Sequence, residues 1–364
     1  MSPHITKCEL SNDSVKNLID CTKLIMSDGK GILAADESTG TIKKRFDMIN
    51  LENTEENRVK YRNLLFTTPL YNQYISGAIL FEETLFQNDP NGKPFVEILK
   101  ENKIIIGIKV DTGLELIPNT DEYFTKGLDT LSTRCKKYYE AGARFAKWRS
   151  VISIDLKTSK PSMLSINTVC DGLAKYASVC QANGLVPIVE PEILADGDHS
   201  IETCAIVTEK VLSVLFKSLY DHGVVLEGTI LKINMVTPGF DSKNKSSSQE
   251  IAYFTTKALL RTVPPALGGI VFLSGGQSEA DATVNLNSIN RLGSFPWKLS
   301  FSYGRALQAS CIKTWAGKTD NVSKAQQVFL QRAKENSMAC LGEFNDSEVE
   351  DASKDTLFEK RYVY

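Results

Sequence analysis

Along this chain, short apolar runs end abruptly in polar or charged residues, and each is followed by a turn and a longer segment with helical spacing. The runs are GILAAD, closing on Asp36; GAILFEE, on Glu82 and Glu83; IIIGIKVD, with Lys109 and Asp111; and ARFAKWR, with Lys147 and Arg149. They continue as LVPIVEPE, with Glu190 and Glu192; GTILK, ending at Lys232; GIVFLSGG, with Ser274; and KLSFSYG, with Ser302. Near-continuous apolar runs suit strands covered on both faces, as in parallel sheets. Between them, segments 129–141, 165–183, 202–222 and 249–262 repeat apolar residues every three or four positions, which predicts helices packed along one side. Strands alternating with helices predict parallel pairing. Eight such units predict one α/β domain, a single (β/α)8 barrel of the TIM type over residues 1–342, with an open doubly wound sheet as the alternative. Residues 343–364, EFNDSEVEDASKDTLFEKRYVY, are polar and acidic, a composition that cannot build a core and predicts a mobile C-terminal tail.

Barrels of this kind carry their chemistry at the C-terminal ends of the strands. The charges of this chain fall there. Side chains two residues apart on a strand share a face, so Lys109 joins Asp111, Lys147 joins Arg149, and Glu190 joins Glu192. One charge at a strand end is ordinary; a ring of them around one mouth points to a site.

Lys232 poses the sharpest question, because GTILKINMV is otherwise apolar and burying an ammonium costs several kcal/mol. Strands four and six contribute to the same interior layer, which predicts that Lys147 and Lys232 are near neighbours. A lysine attacks a carbonyl only when neutral, which requires its pKa to move from about 10.4 toward roughly 7–8. Burial and a second cation both push it that way. The apolar surroundings thus make Lys232 a candidate nucleophile toward a carbonyl.

Two features concern anions. The loops after the seventh and eighth strands read SGGQS and SYGRA, in which Gly275, Gly276 and Gly304 allow close backbone approach and Arg305 adds charge. After the first strand, ESTGTIKKRFDMI offers Ser38, Thr39 or Thr41 as a cap for a helix with Ile42, Phe46 and Ile49 on its apolar face. Lys43, Lys44 and Arg45 then oppose the dipole of that helix, and a bound anion would account for them. Two phosphate sites on opposite sides of one mouth point to a bisphosphorylated substrate.

Composition narrows the choice. The chain has 364 residues, a net charge of −2 and a pI near 6.1, which gives no footing for nucleic acid or an anionic membrane. No apolar run approaches the roughly 20 residues of a membrane span, and MSPHITKCELSNDSVK has no apolar targeting core. The eight cysteines match no zinc module, and a chain of this size needs no disulfides, so a cytoplasmic location is expected. With only His4, His199 and His222, a histidine-rich metal site is not expected, nor is any cofactor. One enzymatic alternative is a metal-dependent lyase in which Glu190, Glu192, Asp36 or Asp111 ligates Mg2+. A non-catalytic scaffold for cytoskeletal partners is the alternative of another class.

Taken together, GKGILAADESTGTIKKRF, GIKVD, ARFAKWR, VPIVEPEIL, EGTILKINMV, FLSGGQSE and SFSYGRALQ resemble the class I, Schiff-base fructose-1,6-bisphosphate aldolases. The resemblance spans about residues 15–342 and returns at the final KRYVY. It implies metal-free, reversible cleavage of fructose 1,6-bisphosphate to dihydroxyacetone phosphate and glyceraldehyde 3-phosphate, in glycolysis and gluconeogenesis. By the same resemblance Lys232 forms the imine, Glu190 is the acid–base group, Glu192 and Lys147 support it, and Asp36 accepts the C4 hydroxyl proton. Ser274, Gly275, Gly304 and Arg305 match the C1-phosphate end of the substrate site, and Gly276 and Ser302 are further substrate-binding positions. Ser38, Thr41, Arg45, Lys109 and Arg149 match the other phosphate end, and Tyr364 the tail tyrosine that protonates C3. The family is commonly homotetrameric, and some members bind actin filaments. Ile233 departs from the family's usual proline, and Thr41 from its common serine.

Overall fold

The structure is a computed structural model of the chain that describes residues 10–345 and 353–360. Eight parallel strands close into a barrel: β1 (Gly31–Ala35), β2 (Ile75–Leu80), β3 (Ile105–Lys109), β4 (Phe145–Ile152), β5 (Val186–Ile193), β6 (Ile230–Asn234), β7 (Gly269–Leu273) and β8 (Leu299–Tyr303). Closure is made by β1 against β8, with Ile32 opposite Ser302 and Leu33 opposite Tyr303. Every strand matches one of the eight apolar runs to within a few residues, and the open-sheet alternative is excluded by the closing ladder. Helices Leu131–Glu140, Met163–Ala182, Ile201–Asp221 and Ser248–Thr262 fall where the apolar spacing predicts them. A short antiparallel hairpin, Leu114–Leu116 with Tyr123–Thr125, is added after β3.

The barrel interior is filled in layers. Ile32, Ile79, Phe145, Val186, Ile188, Ile230 and Val271 form its apolar lower part, joined by Leu18, Ile25 and Met26 from the helix Asn12–Ile25. Phe145 needs missing side chains across the barrel: a Cβ on Gly107 would lie 2.1 Å from its ring. The outward faces of the strands pack against the helices, and Trp148, Ile233 and Phe272 belong to that second core. Ile233 therefore points away from the mouth. Its departure from proline leaves the direction of the neighbouring Lys232 unchanged, because the strand alternates.

Order continues past the last long helix, Val322–Cys340. Phe344 is buried, and its backbone N–H and C=O are both bonded to the Asn287 amide. Residues 353–360 lie back across the barrel mouth.

Candidate active site

Strand alternation carries charge into the upper barrel, and the lower apolar layers deny it water. Lys147, Glu190 and Lys232 are 1%, 3% and 4% exposed, so each charge must be answered locally. Glu190 answers two of them. One carboxylate oxygen lies 3.3 Å from Lys232 Nζ and the other 3.3 Å from Lys147 Nζ. Lys147 also donates to Asp36 at 3.0 Å. The second cation expected beside Lys232 is thus present, but with a carboxylate set between the two ammonium groups.

Burial alone would raise the Asp36 carboxyl, yet Lys147, Lys109 and Lys232 outweigh it and hold the group well below the usual carboxylate range. Glu192 is pushed up by burial and down more strongly by Arg149, whose Nε donates to it at 2.5 Å. Lys109, beside Lys147 in register on β3, is lowered by burial against the opposing pull of Asp36 and Asp111, and its ammonium stands 4.9 Å over the Phe81 ring. Asp36, Glu190 and Glu192 each face a basic side chain, the reverse of the charge balance a Mg2+ site needs. Among the described residues no group of three acidic, histidine or cysteine side chains is placed to hold a metal.

The glycine loops after β7 and β8 fold as the glycines demand. Gly275 and Gly276 both take left-handed backbone, φ +57° and +85°, which turns successive N–H groups to one side. Gly304 caps the helix Arg305–Trp315 without a side chain, leaving its first N–H groups open to an anion. Ser274 lines the same cavity, and the buried Ser302 hydroxyl has no partner among the described residues. Arg305 is engaged by the C-terminal segment: it donates to the Leu357 carbonyl and lies 3.9 Å from the Glu359 carboxylate. Leu357 N–H bonds the Gly276 carbonyl at 3.2 Å, and Phe358 stacks on Phe240 with ring centroids 4.0 Å apart.

After β1, Ser38 caps the helix Thr39–Asp47 by accepting from Thr41 N–H. Only Thr41, Ile42, Arg45 and Phe46 of that helix are buried; Lys43 turns outward to Asp47, so the basic cluster contributes one cation to the mouth. This helix lies next to the loop after β8. Because β1 pairs with β8, Arg45 comes to lie beside Gly304, where an added Cβ would be 3.7 Å from its guanidinium. Lys109 and Arg149, on β3 and β4, occupy the far arc. Barrel closure, which sequence order hides, thus sets Arg45 next to the loop after β8, with Lys109 and Arg149 across the mouth.

Two acidic residues of the ring leave it: Glu82 pairs with Lys137 and Glu83 with Arg58 outside the mouth. Glu37 enters it unforeseen, buried against Arg45 and Arg62. The signal was an arginine among the buried positions of the helix Glu55–Phe66, between Tyr61 and Leu65. Tyr364 lies outside the described residues.

With this geometry in place, a family model described as fructose-bisphosphate aldolase class-I matches residues 17–364. Fructose-bisphosphate aldolase 1 of Toxoplasma gondii is 60% identical over 98% of both chains. The Plasmodium falciparum fructose-bisphosphate aldolase is 58% identical over 98% of this chain and 97% of its own. The chain belongs to the class I fructose-bisphosphate aldolases. A solved structure of the P. falciparum aldolase, in complex with TRAP and a small-molecule inhibitor, superposes with a TM-score of 0.92 at 60% identity, covering 93% of this chain and 98% of that one. As an aldolase of this class the protein is a carbon–carbon lyase acting on fructose 1,6-bisphosphate. No helix among the described residues is long and apolar enough to cross a membrane.

Proposed function

We propose that Lys232 is the Schiff-base nucleophile of this aldolase, and the observation that carries the reading is Glu190 held 3.3 Å from both Lys232 and Lys147. Glu190 can take a proton from the Lys232 ammonium, freeing Nζ to attack the C2 carbonyl. It then returns a proton to the carbinolamine hydroxyl, which leaves as water. Lys147 and Glu192 keep the charge around it balanced. The protonated imine draws the electrons of the C3–C4 bond as that bond breaks. Asp36, ionised at neutral pH, accepts the C4 hydroxyl proton, which becomes acidic only as that oxygen turns into the aldehyde carbonyl.

The substrate's C1 phosphate binds at Ser274, Gly275, Gly276, Ser302, Gly304 and Arg305, in competition with the tail oxygens that now hold Arg305. Ser38, Thr41, Arg45, Lys109 and Arg149 serve the other phosphate. Tyr364, four residues beyond Lys360, protonates C3 of the enamine, so the chain works as a catalytic barrel, 1–342, with a tail, 343–364. We carry over from the family resemblance a homotetramer, and from relatives named cytosolic in Arabidopsis thaliana a cytoplasmic location. Cytoskeletal binding, and binding of TRAP as in the P. falciparum complex, belong to the same reading as partner roles separate from catalysis.

Borohydride reduction with dihydroxyacetone phosphate tests the nucleophile. The expected result is one covalent adduct, mapped by peptide sequencing to Lys232 and formed equally in EDTA. An adduct on Lys147 or Lys109, or none at all, refutes the assignment.

A further inference from the structure

The two carboxylates that end β1 have different neighbours. Asp36 turns to Lys147, whereas Glu37 is buried at 6% exposure between two arginines. Arg45 donates to one Glu37 oxygen, and Arg62 Nη2 lies 2.7 Å from the other. The rest of the surroundings fix this arrangement. Gln308 Nε2 reaches Glu37 at 3.4 Å and the Ala34 carbonyl at 2.8 Å, while the Tyr61 hydroxyl donates to the Gln308 amide oxygen at 2.8 Å. The Arg62 guanidinium stands 5.8 Å from the Tyr61 ring centroid.

Of these three charges, Glu37 and Arg45 line the active-site cavity and Arg62 does not; it is 3% exposed, in the helix layer behind them. A carboxylate paired with Arg45 alone would cancel the charge that arginine brings to the mouth. Two guanidinium groups against one carboxylate leave a positive charge over, and the cavity-facing end of that cluster is Arg45, beside Gly304 and Arg305. Burial raises the Glu37 carboxyl, but Arg45 and Arg62 together bring it below its ordinary value, so it is ionised at neutral pH. Arginine suits the buried position because its charge persists there and its fork matches a carboxylate.

We propose that Arg62 is a positioning residue for substrate binding: by holding the second oxygen of Glu37 it keeps Arg45 net positive toward the substrate phosphate. The inference rests on the reading that this mouth binds a sugar bisphosphate. It predicts opposite effects from removing the two buried charges, which simple damage to the fold would not produce.

The test compares Arg62→Met, Arg62→Lys, Glu37→Gln and the Glu37→Gln/Arg62→Met double variant in fructose 1,6-bisphosphate cleavage. Arg62→Met should raise KM by roughly tenfold or more while kcat changes by about twofold at most, since only ground-state attraction is lost. Arg62→Lys should recover part of that loss. Glu37→Gln should leave KM at or below the wild-type value, and the double variant should bring KM back to within about threefold of wild type. Melting temperatures report whether each variant is folded. An unchanged KM in Arg62→Met, or Glu37→Gln raising KM as much as Arg62→Met does, overturns the proposal. If Arg62→Met does not fold, the Arg62→Lys and Glu37→Gln values decide it by the same opposition. A wild-type enzyme that neither cleaved the bisphosphate nor trapped the imine would instead sink the underlying reading.

Discussion

Phe145 and Lys147 sit two residues apart on β4, face the same interior and are equally hidden from water, yet the barrel holds them for different reasons. Phe145 is held by shape. It fills space that Gly77 and Gly107 leave empty, and its worth is the apolar surface it buries and the void it prevents. Lys147 is held by charge, between Asp36 and Glu190. The floor of the barrel is therefore sensitive to volume and indifferent to pH. The mouth depends instead on each buried charge keeping at least one partner. One strand can carry both because successive inward positions lie at different heights: apolar layers below keep water from the charges above.

The largest effect should come from Lys232→Met, which tests whether the mouth can lose its chemistry and keep its fold. Glu190 retains Lys147 as partner in this variant, so no buried charge is left alone. Turnover should fall by on the order of 10^4–10^6, as when other covalent nucleophiles are removed, with the melting temperature nearly unchanged. A large drop in melting temperature would mean that Lys232 is chiefly a structural ion.

Phe145→Ala makes the opposite cut. Its cavity should cost about 3–5 kcal/mol in urea unfolding, while molecules that remain folded still form the borohydride-trappable imine. Loss of the imine in the folded protein would show that floor and mouth are not separable.

Acid titration sharpens the contrast further. The folded-state pKa of Asp36 lies below its unfolded value, so its stabilisation is complete above about pH 5 and is lost as pH falls through the unfolded value toward the folded one. Asp36→Asn should therefore flatten the fall of stability below about pH 5, whereas Phe145→Ala should shift the curve without changing its slope. Equal slopes for wild type and Asp36→Asn would break the argument.

The smallest effect concerns the tail. Deleting Tyr364 should leave fold and imine intact but slow exchange of the C3 proton of dihydroxyacetone phosphate roughly tenfold, as expected for a group that acts late in the cycle. Exchange at the full-length rate would remove the tail from the mechanism.

Much of this was legible before any coordinates. The period of two along each strand placed Lys109, Lys147, Arg149, Glu190 and Glu192 on inward faces, because alternation is a property of the extended backbone itself. An ammonium in an apolar run marked Lys232, since burial of charge is too costly to be incidental. The paired glycines after β7 marked a tight turn through left-handed backbone. These inferences need only neighbours in sequence.

What tertiary structure decided is what depends on closure and on which neighbours meet across it. Sequence order separates Arg45 from Gly304 by most of the chain, and only the β1–β8 ladder makes them adjacent. Glu190 between two lysines depends on the relative heights of β4, β5 and β6, which the stagger of a closed sheet sets and no local pattern records. Arg62 reads in sequence as one more charge on a helix, and its meeting with Glu37 requires the helix layer to be packed on the strands. Periodicity fixes the direction in which a side chain points; the partner it finds there is chosen by contacts distant in sequence, through the volume and charge that remain when the barrel closes.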